Sequence, residues 1–386
     1  MGMQASQAGH QIPTKRMDPP LAGCNAEKAI KYVIGDGFCF KAKQNGVVYK
    51  IDKKNELILL KYEDGTIAPI DMGVNTGRVG DGYFITVKLD HDLKIGDKFK
   101  KNDVLAADTQ YFNGTGNDGV LTIGTLTNVI IGSADMTYED SSLISESLAD
   151  DLSSKVTFDK AVSISHNSNI SNVKGIGDHI KVGDAMMTYE EVMNDEDGDI
   201  GKLLVKLGNE FGDTIDKYSK NNVPSKYTGN IVDVRMYYNR ELDEYSPSIR
   251  KLIQEYIDRT QAKAKALKSC RRDHIVRIPT VEKINTNRIA GHEFDGLLIH
   301  YFIELDTPFV PGDKLAVGVA LKSIVGGTWK DDERPYVIRN GIKVYCNLLL
   351  SPFSTASRMV PDAYSQGYTN KTMISLKDSV ISLASE

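Results

Sequence analysis

The sequence predicts a mainly β fold with α insertions, and three features of the chain carry that expectation. Short runs rich in β-branched and aromatic residues alternate with Gly, Asn and Asp turns, Gly-Asp pairs precede several of these runs, and one long stretch has helical spacing. Val47-Val48-Tyr49, Leu57-Ile58-Leu59-Leu60 and Tyr83-Phe84-Ile85-Thr86-Val87 are the first expected strands, separated by turns such as Glu63-Asp64-Gly65. The Gly-Asp pairs recur in Ile95-Gly96-Asp97, Val182-Gly183-Asp184 and Pro311-Gly312-Asp313, too irregularly for a solenoid repeat. They read as turns that open strands in barrel-like modules.

The helix is expected to start at Ser246, whose hydroxyl can cap it, with Pro247 in the first turn. Ile249, Leu252, Ile253, Tyr256 and Ile257 then fall on one apolar face, and the pattern runs to Lys268 or beyond. Basic residues crowd the same stretch: Arg250, Lys251, Arg259, Lys263, Lys265, Lys268, Arg271 and Arg272, opposed by Glu255 and Asp258. This is either a solvated face or a docking surface for an acidic protein or nucleic acid, with Arg250, Lys251 and Arg259 as candidate contacts. After Arg277 strands return, notably 297–303 and 344–350, so a helix sits between two β-rich halves. The segment from Gly367 to Glu386 is polar and carries little fold information.

Composition narrows the class. The chain has 386 residues, 41% hydrophobic and 26% charged, enough for two or three domains, or one elaborate domain with insertions, with a real core and unlike a fibrous or disordered protein. Lys and Arg total 47 against 52 acids, a net charge of -5, so any nucleic-acid contact must use a local basic surface. Cys24, Cys39, Cys270 and Cys346 form no C-x-x-C pair and the histidines are scattered in sequence, so neither a zinc site nor a disulfide framework is expected. No apolar run approaches the roughly 20 residues that span a bilayer, and no signal-peptide core is visible; a protein neither secreted nor in a membrane is expected.

Gly-rich phosphate loops, nucleophile elbows and H-E-x-x-H helices are missing from the sequence, which removes the common NTPase, hydrolase and metalloprotease readings. The acidic run Asp195-Glu196-Asp197-Gly198-Asp199 fails as an EF-hand because Ile200 and Lys206 occupy its sixth and twelfth positions. It has the form of a D-x-D-G-D magnesium loop without that loop's flanks. A solvated acidic loop is preferred, and whether it binds metal stays open.

Several segments, taken in order, carry a family resemblance. Met1-Gly-Met-Gln-Ala-Ser-Gln-Ala resembles a Met-Gln-Arg-Gln-Ala segment, and Pro20-Leu21-Ala22-Gly23 the Pro-Leu-Val-Gly after it. Val104-Leu105-Ala106-Ala107-Asp108 looks like a G-D-x-L-A-D-G strand, and Tyr138-Glu139-Asp140-Ser141-Ser142-Leu143-Ile144-Ser145-Glu146 is close to Phe-Glu-Asp-Ser-Ile-Leu-Ile-Ser-Glu. Pro311-Gly312-Asp313-Lys314 matches Pro-Gly-Asp-Lys with Lys322 at the place of a second lysine, and Ser357-Arg358-Met359 matches Ser-Arg-Met. These are landmarks of the β subunit of multisubunit DNA-dependent RNA polymerases. The chain resembles the C-terminal part of a split β subunit, of the kind encoded by giant phiKZ-like bacteriophages.

The resemblance implies a double-psi β-barrel built from two sequence segments with an inserted flap-like module that contains the long helix. The implied layout is a fork-like segment at 1–25, a β-rich module with the first half-barrel at 26–175, the flap-like module at 176–299, the second half-barrel at 300–366 and a tail at 367–386. It further implies that Lys314 and Lys322 hold the RNA 3′ end and reacting phosphates, and that Arg358 holds the β and γ phosphates of the incoming NTP. Glu139 and Asp140 would stand indirectly at a second Mg²⁺, held mainly by a β′ partner with the principal Asp triad. Gln7 is a further candidate RNA or partner contact. Implied partners are an N-terminal β fragment, β′ fragments, a promoter-specificity factor, template DNA, RNA and NTPs, inside an infected bacterial cell or packaged in a virion. In one departure, the family's Arg-His-Gly-Asn between the lysines is here Gly318-Val319-Ala320-Leu321. That loss supports an alternative in which the chain is a non-catalytic scaffold or transcription regulator.

Overall fold

Strand alternation organises the chain into three main sheets in the computed structural model, which describes residues 14–18, 38–78, 84–113, 120–122, 124–190, 220–271, 276–289, 291–318, 321–339, 341–357 and 361–385. The fold is mainly β with a few helices. Its principal strands are β1 (Gly46–Asp52), β2 (Leu57–Tyr62), β3 (Ile67–Asp71), β4 (Val129–Ile131), β5 (Ser141–Ser145), β6 (Ser154–Ser165), β7 (Gly229–Tyr238), β8 (Gly296–Thr307), β9 (Lys314–Val317), β10 (Leu321–Trp329) and β11 (Leu348–Leu350). The helices discussed below are α1 (Glu146–Asp151), α2 (Pro247–Leu267), α3 (Pro352–Ser357) and α4 (Pro361–Ser385). No described helix is long and apolar enough to cross a membrane.

The first sheet is an antiparallel meander of β3, β2 and β1, extended by Lys98–Phe99. Val48, Ile58, Leu60, Ala68 and Ile70 close its core against Phe40, Phe99 and Leu105. In the largest sheet β8 lies between β6 and β7, in unbroken register with β6 from Ser154 opposite Thr307 to Ser165 opposite Gly296. Ile299, Tyr301 and Ile303 of β8 face α2, where Ile249, Ile253 and Tyr256 are buried against them. Each such side chain contributes about 1.5–3 kcal/mol of burial, which is what holds α2 on the sheet. The helix starts as its sequence predicts, with the Ser246 hydroxyl accepting the Ile249 N–H at 3.4 Å and Pro247 in the first turn.

The third sheet has the order β4-β11-β5-β10-β9 and draws its strands from residues 129–145 and 314–350. β4 runs parallel to β11 and β5 parallel to β10, so the two distant segments interleave. Ile144, Leu321, Val325, Leu348 and Leu350 form its core with Leu148 of α1.

The Gly-Asp pairs share one turn. At 94–97, 181–184 and 310–313 the first residue's N–H donates to the Asp carboxylate at 2.7–2.9 Å, and the Asp N–H returns to that residue's carbonyl at 3.0–3.1 Å. The glycine before each Asp has φ between 91° and 101°, conformations that a side chain would strain. Gly175–Asp178 repeats the geometry, and Lys100–Asp103 does so with Asn102 at φ 71°.

Three boundaries differ from the sequence reading. The expected strand 344–350 is two strands in different sheets, Ile342–Tyr345 and β11, because Cys346 and Asn347 turn their N–H groups to Pro335 and Asn128. The polar tail is the helix α4, and the boundary expected at 366/367 falls inside it. Its Thr369, Thr372, Ser375 and Ser379 hydroxyls donate to carbonyls four residues back, so the polar residues are accommodated within the helix without an apolar stripe. The boundary expected at 299/300 likewise falls inside β8.

Candidate functional site

The edge hairpin β9–β10 fixes where the two lysines lie. Lys314 stands opposite Ile324 and Ala316 opposite Lys322, so both lysines share one face at diagonal positions, about 7–8 Å apart at the backbone. Leu321, Ser323 and Val325 take the opposite, buried face, and both lysines are exposed. Among the described residues neither ammonium has a hydrogen-bond or ion-pair partner.

The Glu139-Asp140 pair is placed beside them by β5. The Asp140 carbonyl accepts the Ile324 N–H at 2.7 Å and the Ser323 hydroxyl at 3.0 Å, which pins it to the strand that carries Lys322. The Glu139 carbonyl accepts the hydroxyl of Ser354 from α3 and the Ser141 N–H. Both carboxylates are left exposed. The backbones that carry these four charged side chains, from segments more than 170 positions apart, thus lie together at one end of the sheet.

The turn leading into this pair is held tightly. Thr137 Oγ1 donates to the Ala134 carbonyl at 2.6 Å and accepts its N–H at 2.8 Å, while the Ser141 hydroxyl donates to the Met136 carbonyl at 2.6 Å. Met136 and Glu139 have φ of 64° and 45°, in the left-handed region that costs a non-glycine residue about 1 kcal/mol or more. Strain of this kind persists where surrounding contacts over-determine the backbone, and here they aim Glu139 and Asp140 outward. Tyr138 is 76% exposed and Phe353 57% exposed, with ring centroids 6.1 Å apart, so an aromatic surface borders the charged groups.

Gly326 and Gly327, not singled out in the sequence, leave room for this close approach. A Cβ on Gly326 would lie 2.6 Å from the Met136 carbonyl and 2.5 Å from Ser141 Oγ; one on Gly327 would lie 3.1 Å from Leu143 Cδ2. A Gly-Gly pair inside a strand pattern is the signal that points to such contact. At the hairpin tip Gly318 has φ 58°, and its Cβ position lies 2.5 Å from Gln366 Oε1 of α4, so α4 braces the lysine hairpin.

The remaining candidates are placed elsewhere or lie outside the described residues. Arg358, Gln7 and the acidic loop 195–199 fall outside them. Arg250 spends its guanidinium on the carbonyls of Leu242, Asp243 and Tyr245 at 2.8–3.1 Å, stapling the chain that leads into α2. Lys263, part of the same basic stretch, is buried in an ion pair with Asp71 at 2.9 Å. Lys251 and Arg259 are exposed, the latter with its guanidinium 5.3 Å from the Tyr256 ring centroid. On the strand read as G-D-x-L-A-D-G, burial raises the Asp108 carboxyl to about 6, although it accepts the N–H groups of Lys88 and Gln110. No protein-family model matches the chain, and no curated protein matches it.

Proposed function

We propose that this chain is the C-terminal fragment of a split β subunit of a multisubunit DNA-directed RNA polymerase, and that its third sheet belongs to a double-psi barrel assembled from two sequence segments. The carrying observation is that Lys314, Lys322 and the Glu139-Asp140 pair, from two family-like landmarks, lie on adjacent strands at one sheet end, with all four side chains exposed and neither lysine partnered among the described residues. A surface requirement alone gives no reason for that convergence. The parallel pairings β4–β11 and β5–β10, which interleave residues 129–145 with 314–350, support the two-segment barrel.

Nucleotide addition joins an RNA 3′ hydroxyl to the α-phosphate of an NTP and releases pyrophosphate, so its main needs are alignment and charge neutralisation. Lys314 and Lys322 would hold the RNA end and the reacting phosphates as two fixed cations on one face. Arg358, by the Ser-Arg-Met resemblance, would take the β and γ phosphates through its planar guanidinium. Glu139 and Asp140 offer the hard carboxylate oxygens that Mg²⁺ selects, and their rigid turn suits outer-sphere contact through bound water. When bound, magnesium supplies charge neutralisation at the triphosphate; its direct ligands would come from the β′ partner. The chain alone is therefore expected to be inactive.

In the assembled enzyme, Lys314→Ala or Lys322→Ala should slow nucleotide addition by on the order of 10²-fold, measured by single-nucleotide extension of a preformed RNA primer. Normal rates in both variants would remove the catalytic assignment. The replacement of Arg-His-Gly-Asn by Gly318–Leu321 favours one other reading, a polymerase-like scaffold, and that same result would select it.

A further inference from the structure

On the largest sheet, the face of β8 turned away from α2 carries His300 and Phe302, with Asp159 of β6 opposite Phe302 and Arg235 of β7 opposite His300. His300 Nε2 lies 2.5 Å from Asp159 Oδ2, and the side chain is only 7% exposed. The short strand His292–Glu293 folds back so that the His292 ring centroid comes within 5.8 Å of that of His300. One ligand atom from each of Asp159, His292 and His300 lies within 4.8 Å of the other two. Sequence spacing gave no hint of this cluster, because Asp159 is 133 positions before His292.

We propose that Asp159, His292 and His300 form a binding site for a divalent transition-metal ion of the zinc class. Two imidazoles and a carboxylate are the donors such ions prefer over magnesium. Tetrahedral bonds of about 2.0–2.1 Å put neighbouring ligand atoms about 3.4 Å apart, so the His300–Asp159 pair at 2.5 Å must open by about 1 Å while His292 closes on it by up to about 1.4 Å. Exposed His292, which follows Gly291 at φ 85° in a two-residue strand, is the ligand placed to make that shift. Coordination through Nε2 of His300 leaves its ring proton on Nδ1. Arg235, opposite His300, is held by Asp233 at 3.1 Å and Thr76 at 2.7 Å, with its guanidinium 4.3 Å from the centroid of the Phe302 ring, so it stays beside the site rather than in it. Three protein ligands leave one position for water. The site lies on a different sheet from the lysines and stands independently of the polymerase reading.

The test uses the full chain, stripped with a chelator and titrated with zinc by calorimetry and with cobalt by visible absorption. The expected result is one zinc per chain and a tetrahedral cobalt spectrum. His292→Ala, at an exposed position, and Asp159→Asn should each weaken zinc binding by on the order of 100-fold, and His292→Cys should restore it, since a thiolate also binds zinc. Absence of stoichiometric uptake in the unaltered chain, or uptake that survives either His292→Ala or Asp159→Asn, overturns the site; survival would assign the zinc to other histidines among the seven.

Discussion

The surroundings of α2 and the sheet that carries the lysines treat charge in opposite ways. Around α2, Lys263 of the helix is buried against Asp71 of β3, Arg277 and Arg235 share Asp233 of β7, and Arg250 is spent on three backbone carbonyls. At β9–β10, Lys314 and Lys322 stand exposed without partners among the described residues, beside two exposed carboxylates on a strained, pinned turn. Density of basic residues was the stronger signal in the first region, yet much of that charge maintains the fold. Charge left unspent by the fold is the better marker of a site, and it becomes visible only once pairing is known.

The contrast can be broken most forcefully at Lys263. Lys263→Ala leaves Asp71 buried with only the N–H donors of Gly73 and Arg277, and should cost about 3 kcal/mol in denaturant unfolding, whereas Lys322→Ala should cost under about 0.5 kcal/mol. Similar losses in the two variants would erase the distinction between structural and free charge.

A smaller effect is expected where the turn meets β10. Gly326→Ala drives a Cβ against the Met136 carbonyl and should destabilise by about 1–3 kcal/mol, while displacing the Glu139-Asp140 turn. Amide chemical shifts of residues 134–141 report the displacement. Unchanged shifts would show that the turn does not depend on that close approach.

A pH-dependent effect tests a carboxyl buried outside both sheets. Asp108 titrates near 6 in the folded chain against an ordinary 3.8, so the folded state holds its proton more tightly. Its stabilising contribution is complete below about pH 4 and is lost as pH rises through 6, at most about 3 kcal/mol in all. The stability difference between the natural chain and Asp108→Asn should therefore fall across that window. A difference that is flat from pH 4 to 7 would contradict the buried, protonatable carboxyl.

How much of this was legible follows from the range of each signal. The start of α2, its buried Ile249, Ile253 and Tyr256, and the Gly-Asp turns rest on contacts within a few residues, so their patterns are written locally. The burial of Lys263 was not legible because its partner lies 192 positions away. Helix α4 was missed because Ser, Thr and Asn dilute any apolar period, and its hydroxyls bond within the helix. At the site, motif resemblance singled out Lys314, Lys322, Glu139 and Asp140; Gly326 and Gly327 carry only the general signal of a glycine pair inside a strand, and Ser323 and Ser354 emerge only from three-dimensional contacts.

The central claim concerns what the chain assembles with. Affinity purification of the tagged chain from its native setting, with mass spectrometry of every stoichiometric partner, tests it directly. The split-polymerase account predicts an N-terminal β-like fragment together with chains carrying an Asp-Phe-Asp-Gly-Asp loop. Recovery of the chain alone, or with proteins unrelated to a polymerase, would contradict it.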